Sequence, residues 1–467
     1  MEKSLSIVRI PSDYQLCIEE YGEEGGAMFA WRNEEQDDGI SISMDIAGNL
    51  TDLSIEKNDE ISKSSLLTIE EKRKRAEDFL LSHYPNAFQH FTFYKTNEIT
   101  QATRFDYEQI VMDLPLDELS CMIDIDLAGN VVRFCYDGVK AIPKIPETLI
   151  SKEKLSEEVK SNLNLELRIM NLYPDFHDVE EEGLRLVYEP EQSFMKYKAD
   201  VLKPTLTIEH EVDDDEETLI PLPASSITQK ESSNEEIIGI TEQMEIIREV
   251  DMGPETGIVW RDRNWKSDET DLSIEGLFQR HTEDTVKAFI SKKSGKIKSF
   301  MWFNERRGDI ELSREACYLK GLEFLRTVIP EYYQYLQLIV REDDEEEDDD
   351  FQKELFLFNM HNGYGIPIDL NMVIIAINRT TGEIDHFSGP SIDIELMSEV
   401  PGEPVLSKNE ASKLFNDHLD FKLAWNKDYD GETDAYILAY EACNRKTKTA
   451  IQYVDAITGG IISSKDY

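Results

Sequence analysis

The chain has 467 residues, 40% apolar and 31% charged, with a formal net charge of −47. That is enough apolar material for about two to four packed domains and excludes wholesale disorder. No run of 18 apolar residues exists to span a bilayer, and acidity this strong repels phosphate backbones and anionic lipid surfaces, which excludes nucleic acid and membrane as partners.

Without the nine-acid run 342–350 the charge is still −38, so the acidity is spread over the molecule. A basic protein surface is the partner that such a field attracts. The opening Met1-Glu2-Lys3-Ser4-Leu5-Ser6-Ile7 has no apolar stretch of signal-peptide length. The five cysteines, Cys17, Cys121, Cys135, Cys317 and Cys443, are odd in number and scattered. Reduced thiols in a cytoplasmic protein are the expectation.

In chain order, the first element is a sheet segment around Trp31, followed by a turn at Gly48. A helix opens at Thr68, with Glu71 completing a capping box, and carries the stripe Ile69, Ala76, Phe79 and Leu80. Strand-like runs follow at 91–94, 109–112 and 121–127, the last entering a glycine turn at Gly129. A second helix opens at Ser151 with Leu155, Val159 and Leu163 on one face. A polar stretch at 206–237, with five acids at 213–217, then Pro221 and Pro223, reads as a linker or exposed loop.

The same landmarks then recur. Ala30-Trp31-Arg32 is matched 229 residues later by Val259-Trp260-Arg261, and Gly48 by Gly295. Thr68 is matched by Ser313, Phe79 by Phe324, and Pro85 by Pro330, all 245 residues apart. Gly129 is matched by Gly382, Ser151 by Ser407, and Leu186-Val187-Tyr188-Glu189 by Leu438-Ala439-Tyr440-Glu441. Matches in one order along the chain identify a tandem duplication, 8–205 and 238–467. Each copy has two helix-opened units, beginning near 67 and 149, and near 312 and 405. Their alternating strands predict an α+β fold in which each unit is one helix packed on a small antiparallel sheet.

The closing run Tyr453-Val454-Asp455-Ala456-Ile457-Thr458-Gly459-Gly460, behind Leu438-Ala439-Tyr440-Glu441, resembles the end of a PepSY domain, and the helix from Ser407 resembles its opening. With its duplicated Trp-containing starts the whole chain resembles the YcdB/YcdC repeat family, whose modules are PepSY-like. In the second unit the motif is reduced to Tyr197-Lys198-Ala199-Asp200, without the glycine. The resemblance implies PepSY-like units associated with protease inhibition or folding assistance, and it supplies no catalytic residue.

The usual catalytic patterns are absent. The eight histidines form no His-x-x-x-His pair, and there is no Gly-x-Ser-x-Gly elbow and no phosphate loop. Asp124 and Asp126 lie two apart on a strand, but the equivalent strand 372–378 has no acid, so a wet sheet face is expected there. The loop 428–434 has oxygen ligands around Gly431 but lacks a glutamate at the twelfth position, which is Ala439. It reads as an acidic hairpin loop, and 342–350 as a solvated insertion. Trp31 and Trp260 are expected core anchors, and His418 a satisfied side chain near a helix end. No catalytic, cofactor-binding or metal-binding residue is assigned. The expectation is a non-enzymatic protein-binding or regulatory protein, able to modulate a protease or other protein. A scaffold, or a hydrolase with an unrecognised site, is the alternative.

Overall fold

The computed structural model describes residues 7–22, 25–34, 38–57, 67–116, 120–191, 195–205, 218–224, 232–266, 270–340, 352–397, 399–428 and 435–465. The acidic run 342–350 and loop residues 429–434 therefore lie outside the described residues.

The first repeat is built on one eight-stranded sheet. Its spatial order is Gln15–Tyr21, Ala27–Arg32, Gly39–Met44, Leu50–Glu56, Val131–Tyr136, Cys121–Asp126, Ala102–Glu108 and Thr92–Ile99. Two antiparallel four-stranded meanders are joined where Leu53 pairs with Phe134. The second repeat reproduces the order with Met244–Asp251, Glu255–Asp262, Thr285–Ser291, Ile297–Trp302, Ile384–Ser388, Pro367–Asn378, Lys353–His361 and Leu336–Val340. Trp31 sits between Leu16 and Ile40, and Trp260 between Ile246 and Val286, so the two rings hold equivalent buried places.

One helix crosses each sheet, Ile69–His83 in the first and Arg314–Val328 in the second, over equivalent strands. The expected caps form. Thr68 and Ser407 make capping boxes with Glu71 and Glu410, while Ser151 and Ser313 accept from Lys154 and Ala316 amides. At Gly129 the hairpin needs a φ of 86°, and a Cβ there would fall 2.3 Å from a Leu67 methyl.

These sheets overturn the expected α+β fold of small helix-on-sheet units. The protein is mostly β, with large antiparallel sheets. The physical reason is edge closure. A small sheet leaves unpaired amides and carbonyls along its last strand, and here Val131–Tyr136 satisfies them by pairing with Leu50–Glu56. The run 109–112 forms only part of a two-residue hairpin, Ile110–Val111 with Leu114–Pro115. Within 206–237, Thr218–Pro221 is a strand added antiparallel to Leu336–Val340.

The units opened by Ser151 and Ser407 interlock. The hairpin Leu165–Leu172 with Gly183–Pro190 pairs onto Ile451–Asp455, and the hairpin Leu419–Lys427 with Tyr436–Asn444 pairs onto Lys196–Lys198. Each unit has thus given its hairpin to the other. The backbone bonds are reciprocal: Ala199 N–H donates to Leu438 C=O and Ala456 N–H to Leu186 C=O, both at 2.9 Å. A single parallel contact, Ile169 with Ile368, continues the second repeat's sheet into this exchanged pair. The first repeat's sheet has a separate core around Phe29, Trp31, Phe105 and Phe134.

Candidate binding cleft between the repeats

The first strands of the two repeats, Gln15–Tyr21 and Met244–Asp251, are each an edge of their sheet. Both carry a bulge at the equivalent place, at Cys17 and at Ile247. Among the described residues the second repeat alone inserts a helix between its second and third strands, Ile274–Thr282, capped by Ser273. This helix start ties down the first repeat's edge. Ile274 N–H donates to Glu20 Oε2 at 2.6 Å and Glu19 N–H donates to Leu272 C=O at 2.9 Å.

Between these elements lies a cleft of about 770 Å³. Its apolar wall is Leu16 from the first repeat with Ile247, Val250, Ile258, Leu277 and Phe289 from the second. Its cationic groups come from four places: Arg32 on the first repeat, Arg248 on the edge strand, Arg280 at the helix end and Lys287 on the next strand. Arg261 braces the helix end by donating to the carbonyls of Glu283 at 3.1 Å and Arg280 at 2.6 Å, its guanidinium lying 3.8 Å over Trp265.

The electrostatics of the cleft are opposite to those of the whole chain. Burial, then Arg248, Lys287, Arg280 and Arg261, hold the His281 imidazole below its ordinary range. Burial, with Arg248 and Arg261, likewise depresses the Lys287 ammonium. The Cys17 thiol is pushed up by burial against the opposing pull of Arg32 and Arg280, and it donates to Ala30 C=O at 3.3 Å. A thiol held protonated is a poor nucleophile, and the cations beside the apolar wall suit an anion.

The residues singled out from sequence lie elsewhere. Asp124 is 2% exposed and takes a two-pronged ion pair from Arg104 at 2.8 and 2.9 Å, so the expected wet face is closed at that position. Asp126 accepts from the backbone and side-chain amides of Asn130 and shapes the turn. His418 Nδ1 lies 3.0 Å from Leu414 C=O near its helix end. Among the described residues, no group of three His, Cys, Asp or Glu is placed to hold a metal ion.

Sequence reasoning missed the cleft. One signal could have pointed to it: residues 244–298 hold ten Lys or Arg against eleven Asp or Glu, in a chain with 49 against 96.

The family described as the YcdB, YcdC repeated domain matches residues 1–138 and 227–391. These two spans bracket the two eight-stranded sheets and leave out the exchanged units. The chain is 27% identical over 464 residues to the uncharacterized protein YcdB of Bacillus subtilis strain 168, covering 98% of this chain and 96% of that one. It is 28% identical over 441 residues to the uncharacterized protein YcdC of the same strain, covering 93% of each. Among solved structures, the Bacillus megaterium YpeB C-terminal domain is 16% identical, with a TM-score of 0.26 over 44% of this chain and 92% of that chain, too slight a likeness to define a shared fold.

Proposed function

The chain belongs to the YcdB/YcdC repeat family, and we propose that it is a non-catalytic polypeptide-binding protein whose cleft between the repeats takes an extended segment of a partner. The observation that carries this reading is the edge strand Met244–Asp251. It lines the cleft, pairs among the described residues only with Glu255–Asp262, and exposes Ile246 and Ile247. An edge with open backbone groups beside an apolar wall is what strand addition needs. The fold already uses that mode at the far end of the same sheet, where Thr218–Pro221 lies on Leu336–Val340.

The family and the two Bacillus subtilis relatives carry no catalytic designation. The Cys17 thiol, pushed up by burial, points the same way. At long range the net charge of −47 favours a partner with a basic surface. Modulation of a protease is the form this binding takes if the bound segment belongs to one. The five cysteines, all unpaired, support a reducing, cytoplasmic setting.

Filling the cleft tests the reading. Gly257 lines it, and the nearest atoms to a Cβ there belong to the Phe289 and Met252 side chains, at 3.4 Å or more. Gly257→Leu should therefore keep the thermal midpoint and abolish binding of a mixed pool of extended ten-residue peptides. Equal binding by the variant, or no binding by the parent chain, would overturn the proposal.

A further inference from the structure

Resting on that reading, we propose that the cleft recognises the free C-terminal carboxylate of the bound polypeptide, with its last apolar side chains lying on the wall formed by Ile247, Val250 and Leu277. Three features point to a chain end. First, the cationic groups converge from separate segments. Arg248 sits on the edge strand along which a peptide would lie, Arg280 at the helix end, and Lys287 on the neighbouring strand. Among the described residues neither Arg248 nor Lys287 forms an ion pair, and Lys287 lies 4.6 Å over the Phe303 ring.

Second, the nearby carboxylates have other work. Glu20 takes the first amide of the helix, Asp251 takes Lys292, and Glu283 accepts from Trp265 Nε1 at 3.4 Å. Among the described residues, Arg248 and Lys287 are therefore left for a ligand. Burial first, and then the neighbouring cations, depress both Lys287 and His281.

Third, the apolar wall of Ile247, Val250 and Leu277 lies in the same cleft as these cations. The end of a polypeptide offers both partners together, a carboxylate for the cations and apolar side chains just before it for the wall. Arginine and lysine donors at such an end give charge-assisted hydrogen bonds, which are among the strongest available for recognition. A bare phosphate would leave the apolar wall unused.

The test uses the full chain and ten-residue peptides whose last four positions are drawn from Val, Ile, Leu and Phe. One pool carries free acids and one carries C-terminal amides. A third is amidated with Glu as its last residue. Binding is read by fluorescence anisotropy. The free-acid pool should bind at least tenfold more tightly than the amide pool. That advantage of acid over amide, compared within the one variant, should disappear in Arg248→Ala/Lys287→Ala, whose thermal midpoint stays that of the parent. Equal affinity for acid and amide would overturn the carboxylate proposal and leave polypeptide binding standing. Equal affinity for the free acid and the Glu-ended amide would overturn the chain-end assignment in favour of a side-chain source. Failure of every pool to bind would overturn both readings.

Discussion

Tyr188 and Tyr440 stand at equivalent places in the two repeats, and each hydroxyl donates to the backbone just ahead of the other repeat's helix. Tyr188 reaches Leu406 C=O and Tyr440 reaches Ile150 C=O, both at 2.8 Å. Both rings are buried. Tyr188→Phe or Tyr440→Phe would leave a carbonyl unsatisfied, and each should cost about 1–2 kcal/mol in urea unfolding. Because both bonds lie in the exchanged pair of units, the double variant should cost close to the sum.

The exchange also sets what can fold alone. A fragment of residues 1–205 keeps the separate core around Trp31 but lacks the partner strands for the hairpin Leu165–Leu172 and Gly183–Pro190. Expressed alone, it should show protected amides over 15–136 and fast exchange over 150–205. Mixing it with a fragment of 206–467 should restore that protection. Full protection of 150–205 in the isolated fragment would contradict the exchange.

The two tryptophans belong to different cores. Trp31→Ala should destabilise by about 3–5 kcal/mol, with the loss confined to hydrogen exchange of the first sheet. Trp260→Ala should loosen the second sheet and the exchanged units together, since all three share one core.

Asp420 gives a pH signature to the exchanged region. Burial pushes its carboxyl up, but the Lys448 ammonium, the Phe421 amide and Lys152 at 3.4 Å outweigh burial and hold it down to about 2. A carboxyl with a folded value below its ordinary 3.8 stabilises the fold above about pH 4, and that contribution is lost as pH falls toward 2. Asp420→Asn should be weaker than the parent by about 1 kcal/mol at pH 6, and the gap should close between pH 4 and 2. A gap independent of pH would place the effect outside this carboxyl.

Local chemistry was legible in the sequence wherever a few adjacent residues decide the outcome. Thr68 with Glu71 and Ser407 with Glu410 announce helix starts, and Gly129 announces a hairpin, because each satisfies or frees its own nearby backbone. The repeat itself was legible because Trp31 and Trp260 face the same kind of strand neighbours. The exchange was not. Leu186–Glu189 and Leu438–Glu441 carry nearly the same side chains, so pairing within a unit and pairing across units satisfy the same pattern. The fused sheets depend on contacts such as Leu53 with Phe134, far apart in sequence. The cleft was hidden for a similar reason. Arg248, Arg280 and Lys287 lie on three segments, and the helix that brings Arg280 in has no counterpart among the described residues of the first repeat.

The most direct test of polypeptide binding in the cleft is hydrogen exchange at residues 244–251 with and without the free-acid peptide pool. A peptide adding to this edge supplies partners to outward-facing amides that now meet water. Expected is marked slowing of exchange across 245–250, with no change at the opposite edge Leu336–Val340, which Thr218–Pro221 already covers. Saturating binding with unchanged exchange at 244–251 would contradict it.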